Sequence, residues 1–561
     1  MLWRADLGDG TYKNPIIYGD YSDPDAIRVG NDYYMVASSF SNAPAIPILH
    51  SCDLVNWKVI NYVCRNVPEY RYINPMHGSG VWAPAIRFHA GEYYVYFPMP
   101  DEGIYVSKAK DPCGEWSRPV NIMPEFGVID PCPFWDDDGR AYLATAVSGA
   151  RVGYKSVLRL AEMSADGMKL LTESEIIYDG RNTENETIEG PKLYKRNGWY
   201  YIFSPAGGVK CGFQVALRSR SINGPYESRV VMRQGASQVN GPHQGAWVDT
   251  VTGEDWFIHF QDVYAGGRIV HLQPMCWEED WPVIGAKCEG KEYGEPVVTY
   301  RKPKVADDVL SDAANKVYEP DNSDEFESEP LGLQWQWNAN YEDDWFQIVP
   351  EQSKLILYAV KTNNMRQLSD FRNLLLQKWP APEFVCETKM NIRNLNINDM
   401  AGIVSMGQIF GGLAVRVKAD ESEELKYELV KITGAQEFDH NAAFAESDEC
   451  VAELDSELIK AADYDIRFHY QVKIREYIDR LDRRDWQDNE IWVRHIPQED
   501  IFMYMEIAGE IVAGSKMRIN AKAGRWVGVK NGVFCVHKGT GGEFGYAEID
   551  YVRYREIEHD I

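Results

Sequence analysis

Three short acidic segments follow one another in the first half of this chain, and each sets a carboxylate beside proline or glycine. They are residues 22–25 (Ser-Asp-Pro-Asp), 129–131 (Ile-Asp-Pro) and 188–191 (Ile-Glu-Gly-Pro). Proline and glycine favour tight turns, which hold an acidic side chain in a fixed direction. Two or three convergent carboxylates can break a glycosidic bond, because one donates a proton while another activates water. Whether these segments meet depends on the elements that carry them.

Those elements are predicted to be β-strands. A polar turn followed by an aromatic-rich strand occurs five times in the first 300 residues, at 30–36, 91–97, 138–144, 197–203 and 253–260. A spacing of roughly 50–60 residues is typical of a repeat architecture, and four short strands with their loops fill it as one propeller blade. We therefore predict a five-bladed β-propeller over residues 1–300. Unrelated aromatic hairpins of an ordinary all-β protein are the alternative.

The second half has a different pattern. The repeat stops after Gly285, and residues 301–322 are rich in proline, lysine and aspartate, which predicts a linker. From 323 to 561, short alternating stretches such as 545–554 predict a β-sandwich without long helices. The whole chain is thus predicted to be all-β.

Composition excludes several classes of partner. The 561 residues include 85 acidic and 58 basic ones, a formal charge of −27, so nucleic acid and anionic membrane surfaces are not expected to bind. No long apolar run predicts a membrane span. The ten cysteines are scattered and the N-terminus is polar, so we expect reduced thiols and a cytoplasmic location. A secreted protein without its leader would look the same.

The motifs resemble those of glycoside hydrolase family 43. Besides the three acidic segments, the resemblance is carried by residues 80–84 (Gly-Val-Trp-Ala-Pro), 241–245 (Gly-Pro-His-Gln-Gly) and 267–268 (Gly-Arg). The second half resembles the concanavalin A-like jelly-roll sandwich that follows the propeller in family β-xylosidases and α-L-arabinofuranosidases, notably at 332–338 and 372–378. The resemblance covers nearly the whole chain.

The resemblance implies an inverting mechanism, in which one displacement needs a base and an acid on opposite faces of the sugar. By motif position Asp23 matches the base, Glu189 the acid and Asp130 the third carboxylate, which orients Glu189 and keeps its pKa high. Asp25 lies two residues from Asp23 and is the alternative base, although the family pattern favours Asp23. Taken singly, each acid could instead serve only a turn or the surface.

The resemblance also implies residues that bind the sugar. Phe40 and Trp82 are candidates for apolar walls, with a core position as the alternative, and Arg268 is expected to bind substrate and hold a carboxylate. His243 is expected near the propeller axis. No cofactor is expected to be required; a calcium ion near His243 is one expectation, and a histidine that only hydrogen-bonds the carboxylates is the other.

The expected function is exo-acting release of β-1,4-linked xylose, α-L-arabinofuranose or both from oligosaccharides derived from xylan or arabinan. The sandwich is expected to send a loop over the pocket, so that only chain ends or side branches enter. Three alternatives stay open: a non-catalytic carbohydrate-binding protein, a β-galactosidase-type member of the family, and a retaining fructan hydrolase. A homo-oligomer is also left open.

Overall fold

The computed structural model describes residues 2–306, 319–361, 367–436, 447–483, 491–539 and 543–558. Over these residues the chain is nearly all-β, and the longest helix, Ser456–Ala461, has six residues. A five-bladed propeller is followed by a β-sandwich of two sheets, which confirms the predicted all-β fold class. The short helices described are Gly149–Val152, Ser456–Ala461, Tyr70–Ile73, Tyr264–Gly266, Asp343–Trp345, Pro350–Gln352 and Leu368–Asp370.

Each blade is built on four consecutive antiparallel strands, and the first strand of each is here called the inner strand. The inner strands of blades 5, 1, 2, 3 and 4 are neighbours in that order, and that of blade 5 also contacts the second strand of blade 4. Blades 1 and 2 are Asp25–Val29, Asp32–Val36, Ala45–Ser51, Lys58–Cys64 and Ala85–His89, Glu92–Met99, Gly103–Ala109, Val120–Met123. Blades 3 and 4 are Val128–Trp135, Ala141–Val147, Val157–Met163, Glu175–Asp179 and Lys192–Arg196, Trp199–Ala206, Phe213–Ser219, Glu227–Met232. Blade 5 is His243–Asp249, Asp255–Asp262, Arg268–Glu278 and Trp281–Ile284. Two short strands, Ala286–Lys287 and Gly294–Glu295, extend blade 4.

The five sequence repeats occupy one equivalent place in the fold. In every blade the polar turn joins the inner strand to the second strand, and the aromatic-rich stretch is that second strand. Gly30, Gly91, Gly139, Gly198 and Gly253 all have positive φ in these turns, a conformation that costs glycine least. The second strand lies mid-sheet, where aromatic side chains pack against neighbouring blades, as in the contacts of Phe203 with Trp247 and Phe257.

The propeller ring is closed around Asn14. Thr11–Lys13 pairs with Thr299–Arg301, so the two ends of the domain form a small sheet. The Asn14 side-chain amide donates to the carbonyls of Leu272 and Val297, each at 2.8 Å, and its oxygen accepts from the Leu272 N–H at 2.8 Å. One buried side chain therefore joins blade 5 to both ends of the domain.

Within the described residues, the sandwich consists of two eight-stranded sheets. The first contains Gln336–Trp337, Val360–Lys361, Leu375–Lys378, Asp399–Met406, Ile409–Ala419, Leu425–Ala435, Ser447–Leu454 and Lys530–His537. The second contains Phe346–Val349, Lys354–Tyr358, Phe384–Asn391, Asp465–Arg483, Ile491–Ile507, Glu510–Ile511, Met517–Asn520 and Tyr546–Arg555. Their facing side chains form one apolar core that includes Trp335, Trp379 and Phe468.

The sandwich is hydrogen-bonded to the propeller. Trp337 and Ala43 exchange two backbone hydrogen bonds, at 2.6 and 3.2 Å. On the loop that follows Met517–Asn520, the Gly528 N–H donates to the Asp20 carboxylate at 2.9 Å. The next amide, of Val529, donates to the Ala265 carbonyl at 2.8 Å. These bonds fix a loop of the second domain against the propeller.

The predicted domain boundaries at residues 300 and 323 stay predictions, and part of the predicted linker, 307–318, lies outside the described residues. Across the described part of the chain, no helix has both the length and the apolar character that a membrane crossing needs.

Replacing Asn14 by alanine should destabilise the protein by about 2–4 kcal/mol, because three buried hydrogen bonds are lost and two carbonyls are left without this donor. Chemical denaturation would measure the change. Asn223→Ala, at an exposed position, is the control and should alter the free energy of unfolding by less than about 0.5 kcal/mol. Equal effects of the two substitutions would contradict this account of ring closure.

Candidate active site

The predicted site residues meet at the propeller axis. A cavity of about 500 Å³ is lined by all seven of them, Asp23, Phe40, Trp82, Asp130, Glu189, His243 and Arg268. The acids come from different blades: Asp23 precedes the inner strand of blade 1, Asp130 lies in that of blade 3, and Glu189 precedes that of blade 4. The sequence therefore predicted which side chains share the cavity, and their chemical roles remain to be argued.

Asp23 and Asp130 share an unusual backbone conformation. Both have φ of 55°, in the left-handed region, which aspartate tolerates better than most residues. At Asp130 the pairing register shifts between Ile129 and Cys132, a β-bulge that redirects the side chain. The acidic turns seen in the sequence thus lead into the inner strands with their carboxylates at the cavity.

The Asp23 carboxylate is surrounded by hydrogen-bond donors. Its Oδ2 accepts from the Ser22 and Ser38 hydroxyls, both at 2.6 Å. The Arg268 guanidinium donates to its Oδ1 at 3.1 Å and Oδ2 at 3.3 Å. Four hydrogen bonds from three side chains thus hold this carboxylate in a fixed direction. The expectation that Arg268 holds a carboxylate is confirmed.

Asp130 is more buried than Asp23, and its carboxylate accepts fewer hydrogen bonds. Burial raises its pKa, and the neighbouring Asp23 charge adds to the increase. The Gly190 N–H, which donates to Asp130 Oδ2 at 2.8 Å, the Lys192 charge and the Gln244 amide act in the opposite direction. Because Gly190 directly follows Glu189, this bond links the two acids across adjacent blades.

Glu189 has the properties of a proton donor. Burial raises its pKa above the ordinary glutamate value, and the charges of Asp130 and then Asp23 raise it further. Arg268 and Lys155 lower it to a smaller degree. Its side chain keeps 28% exposure beside the cavity, so a bound sugar can reach the carboxyl.

His243 faces Glu189, with its Nε2 at 3.4 Å from Glu189 Oε1. The ring is buried and packs against Phe260 at a centroid distance of 5.5 Å. Calcium prefers six to eight oxygen ligands, and an imidazole beside one carboxyl does not supply such a set. The geometry favours a histidine that interacts with the acid, and calcium stays an untested expectation.

Aromatic side chains from both domains wall the cavity. Phe40 and Trp82 have ring centroids 6.5 Å apart, and the Trp526 ring lies 6.2 Å from Trp82. Trp526 stands on the sandwich loop that Gly528 anchors to the propeller. The expected loop over the pocket is therefore present, although the sequence did not single out Trp526. An aromatic residue flanked by glycines at 524 and 528 was the only available signal.

Asp25, the alternative base, lies outside the cavity. It is fully buried, and its Oδ2 accepts from Arg87 at 2.6 Å and from the Ile86 N–H at 2.8 Å. Among the polar residues that line the cavity, Gln244 and Lys155 were not predicted as site residues, although Gln244 lies in the motif at 241–245. Neither belongs to a catalytic residue type at a recognisable spacing.

Sequence comparison matches this arrangement to known enzymes. The profile of glycosyl hydrolases family 43 matches residues 12–282, and that of the β-xylosidase C-terminal concanavalin A-like domain matches 323–488. A protein of Xylanibacter ruminicola, named provisionally as a β-xylosidase, is 42% identical over 73% of this chain and 74% of its own. The chain belongs to glycoside hydrolase family 43. It is accordingly a glycosidase, and its substrate is a carbohydrate.

Other similar proteins carry related names. A β-xylosidase of Formosa agariphila is 33% identical over 75% of this chain and 78% of its own. Among solved structures, a xylan β-1,4-xylosidase from Bacillus halodurans has a TM-score of 0.75 at 23% identity, covering 97% of this chain and all of that one. At that identity the structural match supports the fold of both domains together.

The charge of Asp130 should set the alkaline limit of activity. Asp130→Asn removes a negative charge near Glu189, so the Glu189 pKa should fall and the alkaline limb of the kcat/KM profile should move down by about 1–3 pH units. Asp138→Asn, in an exposed hairpin turn, is the matched control and should leave the limb in place. An unmoved limb in Asp130→Asn would show that this charge does not tune Glu189.

Proposed function

We propose that this glycosidase is an inverting, exo-acting enzyme that releases xylose, arabinofuranose or both from the ends or branches of oligosaccharides. The observation that carries the proposal is the unequal treatment of two acids in one cavity. Asp23 is held by Arg268 and two serine hydroxyls, while the pKa of Glu189 is raised. That difference suits one base and one acid.

In this proposal Asp23 accepts a proton from a water molecule that attacks the anomeric carbon. Glu189 protonates the glycosidic oxygen as the bond to the leaving group breaks. Asp130 does not touch the reacting atoms in this scheme. It positions Glu189 through the Gly190 amide and disfavours the early loss of the Glu189 proton. After one turnover Asp23 has gained a proton and Glu189 has lost one, and proton exchange with solvent restores both.

The exo-acting mode is supported by Trp526, which limits the cavity from the side of the sandwich. A cavity of about 500 Å³ suits a few sugar rings better than a continuous polymer. The pentose assignment is supported by the names of the relatives. One of them is a non-reducing end α-L-arabinofuranosidase of Bacteroides ovatus, 28% identical over 72% of this chain.

Because the chain belongs to an enzyme family and keeps all three acids, the non-catalytic binding alternative is set aside. No described contact favours the β-galactosidase-type or the retaining fructan alternative, and the assay below includes a β-galactoside.

The roles of Glu189 and Asp23 can be distinguished by the hydrolysis of aryl β-xylosides, α-L-arabinofuranosides and β-galactosides with different leaving groups. With a poor phenol leaving group, Glu189→Ala should lose about 10²–10⁴-fold in kcat, and much less with an acidic nitrophenol, which needs no proton. Asp23→Ala should lose activity to the same degree with every leaving group, because water activation is always required. The assignment of roles fails if the two variants show the same dependence on the leaving group.

Trp526→Ala should weaken pentoside binding, raising KM about tenfold, which corresponds to about 1.4 kcal/mol. The same change should increase activity on polymeric xylan relative to short xylo-oligosaccharides, because it opens one end of the cavity. Tyr70→Ala, at a position that is 83% exposed, serves as the control. A tenfold effect at Tyr70, or an unchanged polymer preference in Trp526→Ala, would contradict the role of this wall.

A further inference from the structure

Asp20 is a buried acid to which the proposed mechanism gives no role. It lies three residues before Asp23, just ahead of the first strand of blade 1, and it is only 4% exposed. It does not line the cavity that holds the three acids. Its carboxylate nevertheless accepts hydrogen bonds from both domains, so it contacts each side of the interface between the propeller and the sandwich.

The two oxygens of the Asp20 carboxylate have different partners. Oδ1 accepts from the backbone N–H of Arg268 at 2.9 Å, and Oδ2 accepts from the backbone N–H of Gly528 at 2.9 Å. Arg268 is the residue whose guanidinium holds the proposed base Asp23. Gly528 follows Trp526, the aromatic wall from the sandwich, by two residues. One carboxylate therefore joins the backbone behind the base to the backbone behind the wall.

Two glycines allow this bridge to form. A Cβ atom on Gly528 would lie 2.8 Å from the Cα and N atoms of Gly267, and a Cβ atom on Gly267 would lie 2.6 Å from the Asp20 carboxyl group. A side chain at either position would force the two backbones or the carboxylate apart, and glycine is the residue that permits such a close approach. The sandwich loop therefore packs directly on the residue that precedes Arg268.

The side chains that the bridge supports also meet in the cavity. The central carbon of the Arg268 guanidinium lies 5.8 Å from the centre of the Trp526 ring and 4.8 Å from that of Phe260. The same guanidinium donates to the Ser22 hydroxyl at 2.9 Å and to the Asp23 carboxylate at 3.1 Å. A shift of the Arg268 backbone would therefore disturb both the base and the contact with the wall.

We propose that Asp20 is a positioning residue on which two parts of the site depend together: the orientation of the base Asp23 by Arg268, and the closure of the cavity by Trp526. The proposal deepens the proposed function, on which it rests for its kinetic readout. Asp20 acts through the backbone amides of Arg268 and Gly528. Loss of its carboxylate should release both parts, whereas loss of the Trp526 side chain should leave both Asp20 bonds in place.

A purely structural role is the competing explanation, because Asp20 also faces buried cations at the domain interface. Burial lowers the pKa of Lys378 and of Lys530, and the charge of Asp20 opposes that decrease in both. Removal of Asp20 would therefore lower stability whatever happens at the active site. A smaller free energy of unfolding fits both explanations. Only the proposed role predicts a change in KM that disappears when Trp526 is absent.

The kinetic test is a double-mutant cycle on an aryl pentoside. Asp20→Ala should raise KM about tenfold, because the wall loosens, and lower kcat about 10–100-fold, because Arg268 no longer holds the base in place. In the Trp526→Ala background the same substitution should leave KM within about twofold and keep the decrease in kcat. Asp136→Asn is the control and should change neither parameter more than about twofold, since this buried acid accepts from Tyr200 and bonds to neither part of the bridge.

A second readout does not require turnover. Hydrogen–deuterium exchange resolved to single amides reports the N–H groups of Arg268 and Gly528 directly. Both should exchange at least about tenfold faster in Asp20→Ala, and both should keep the wild-type rate in Trp526→Ala, where the acceptor carboxylate remains. If Asp20→Ala does not fold, Asp20→Asn replaces it. Asparagine keeps one acceptor oxygen, so one of the two amides should exchange faster, and unchanged exchange of both overturns the proposal.

The Leu272 N–H lies on the same strand as Arg268 and is the internal control, because it donates to Asn14 and reports any general loss of stability. Faster exchange of both target amides of Asp20→Ala, but not of Leu272, together with the non-additive effect on KM, supports the proposal. Unchanged exchange at either target amide, additive effects on KM or an unchanged kcat overturns it. If the wild-type enzyme hydrolyses no pentoside, the proposed function fails instead, and the exchange experiment alone decides the role of Asp20.

Discussion

The mutual repulsion of three carboxylates in one cavity is the constraint on which this site depends. Each negative charge disfavours ionisation of the others, and burial removes the water that would screen them. The protein meets this constraint by giving the acids different surroundings. Asp23 has a guanidinium and two hydroxyls, Asp130 has the Gly190 amide, and Glu189 has His243 at the edge of hydrogen-bond range. Their chemical differences follow from these surroundings.

The propeller makes such unequal surroundings possible. Because the inner strands of blades 5, 1, 2, 3 and 4 follow one another around the axis, side chains at or just before the starts of three of them reach one cavity. The sandwich completes the cavity from outside, since Trp526 is held there by the bond from Gly528 to Asp20. The two domains thus form one site.

Much of this was predictable from sequence, for physical reasons. Turn chemistry repeated at a regular spacing predicts blades, and an acid beside proline or glycine predicts a side chain fixed at a strand start, as at Asp130. Trp526 was not predictable, because no local pattern shows that it lies against Trp82, more than 400 residues away in the chain. Lys192 was also missed, since a lysine opening a strand usually lies in solvent and only the fold buries it between blades.

The central claim is that the two acids with opposite surroundings act in a single displacement with inversion. Proton NMR of the sugar first formed from an aryl β-xyloside, or from an aryl α-L-arabinofuranoside if that is the substrate cleaved, tests it most directly, before mutarotation mixes the anomers. The account predicts that α-xylose, or β-arabinofuranose, appears first. First appearance of the anomer present in the substrate would show retention and contradict the roles assigned to Asp23 and Glu189.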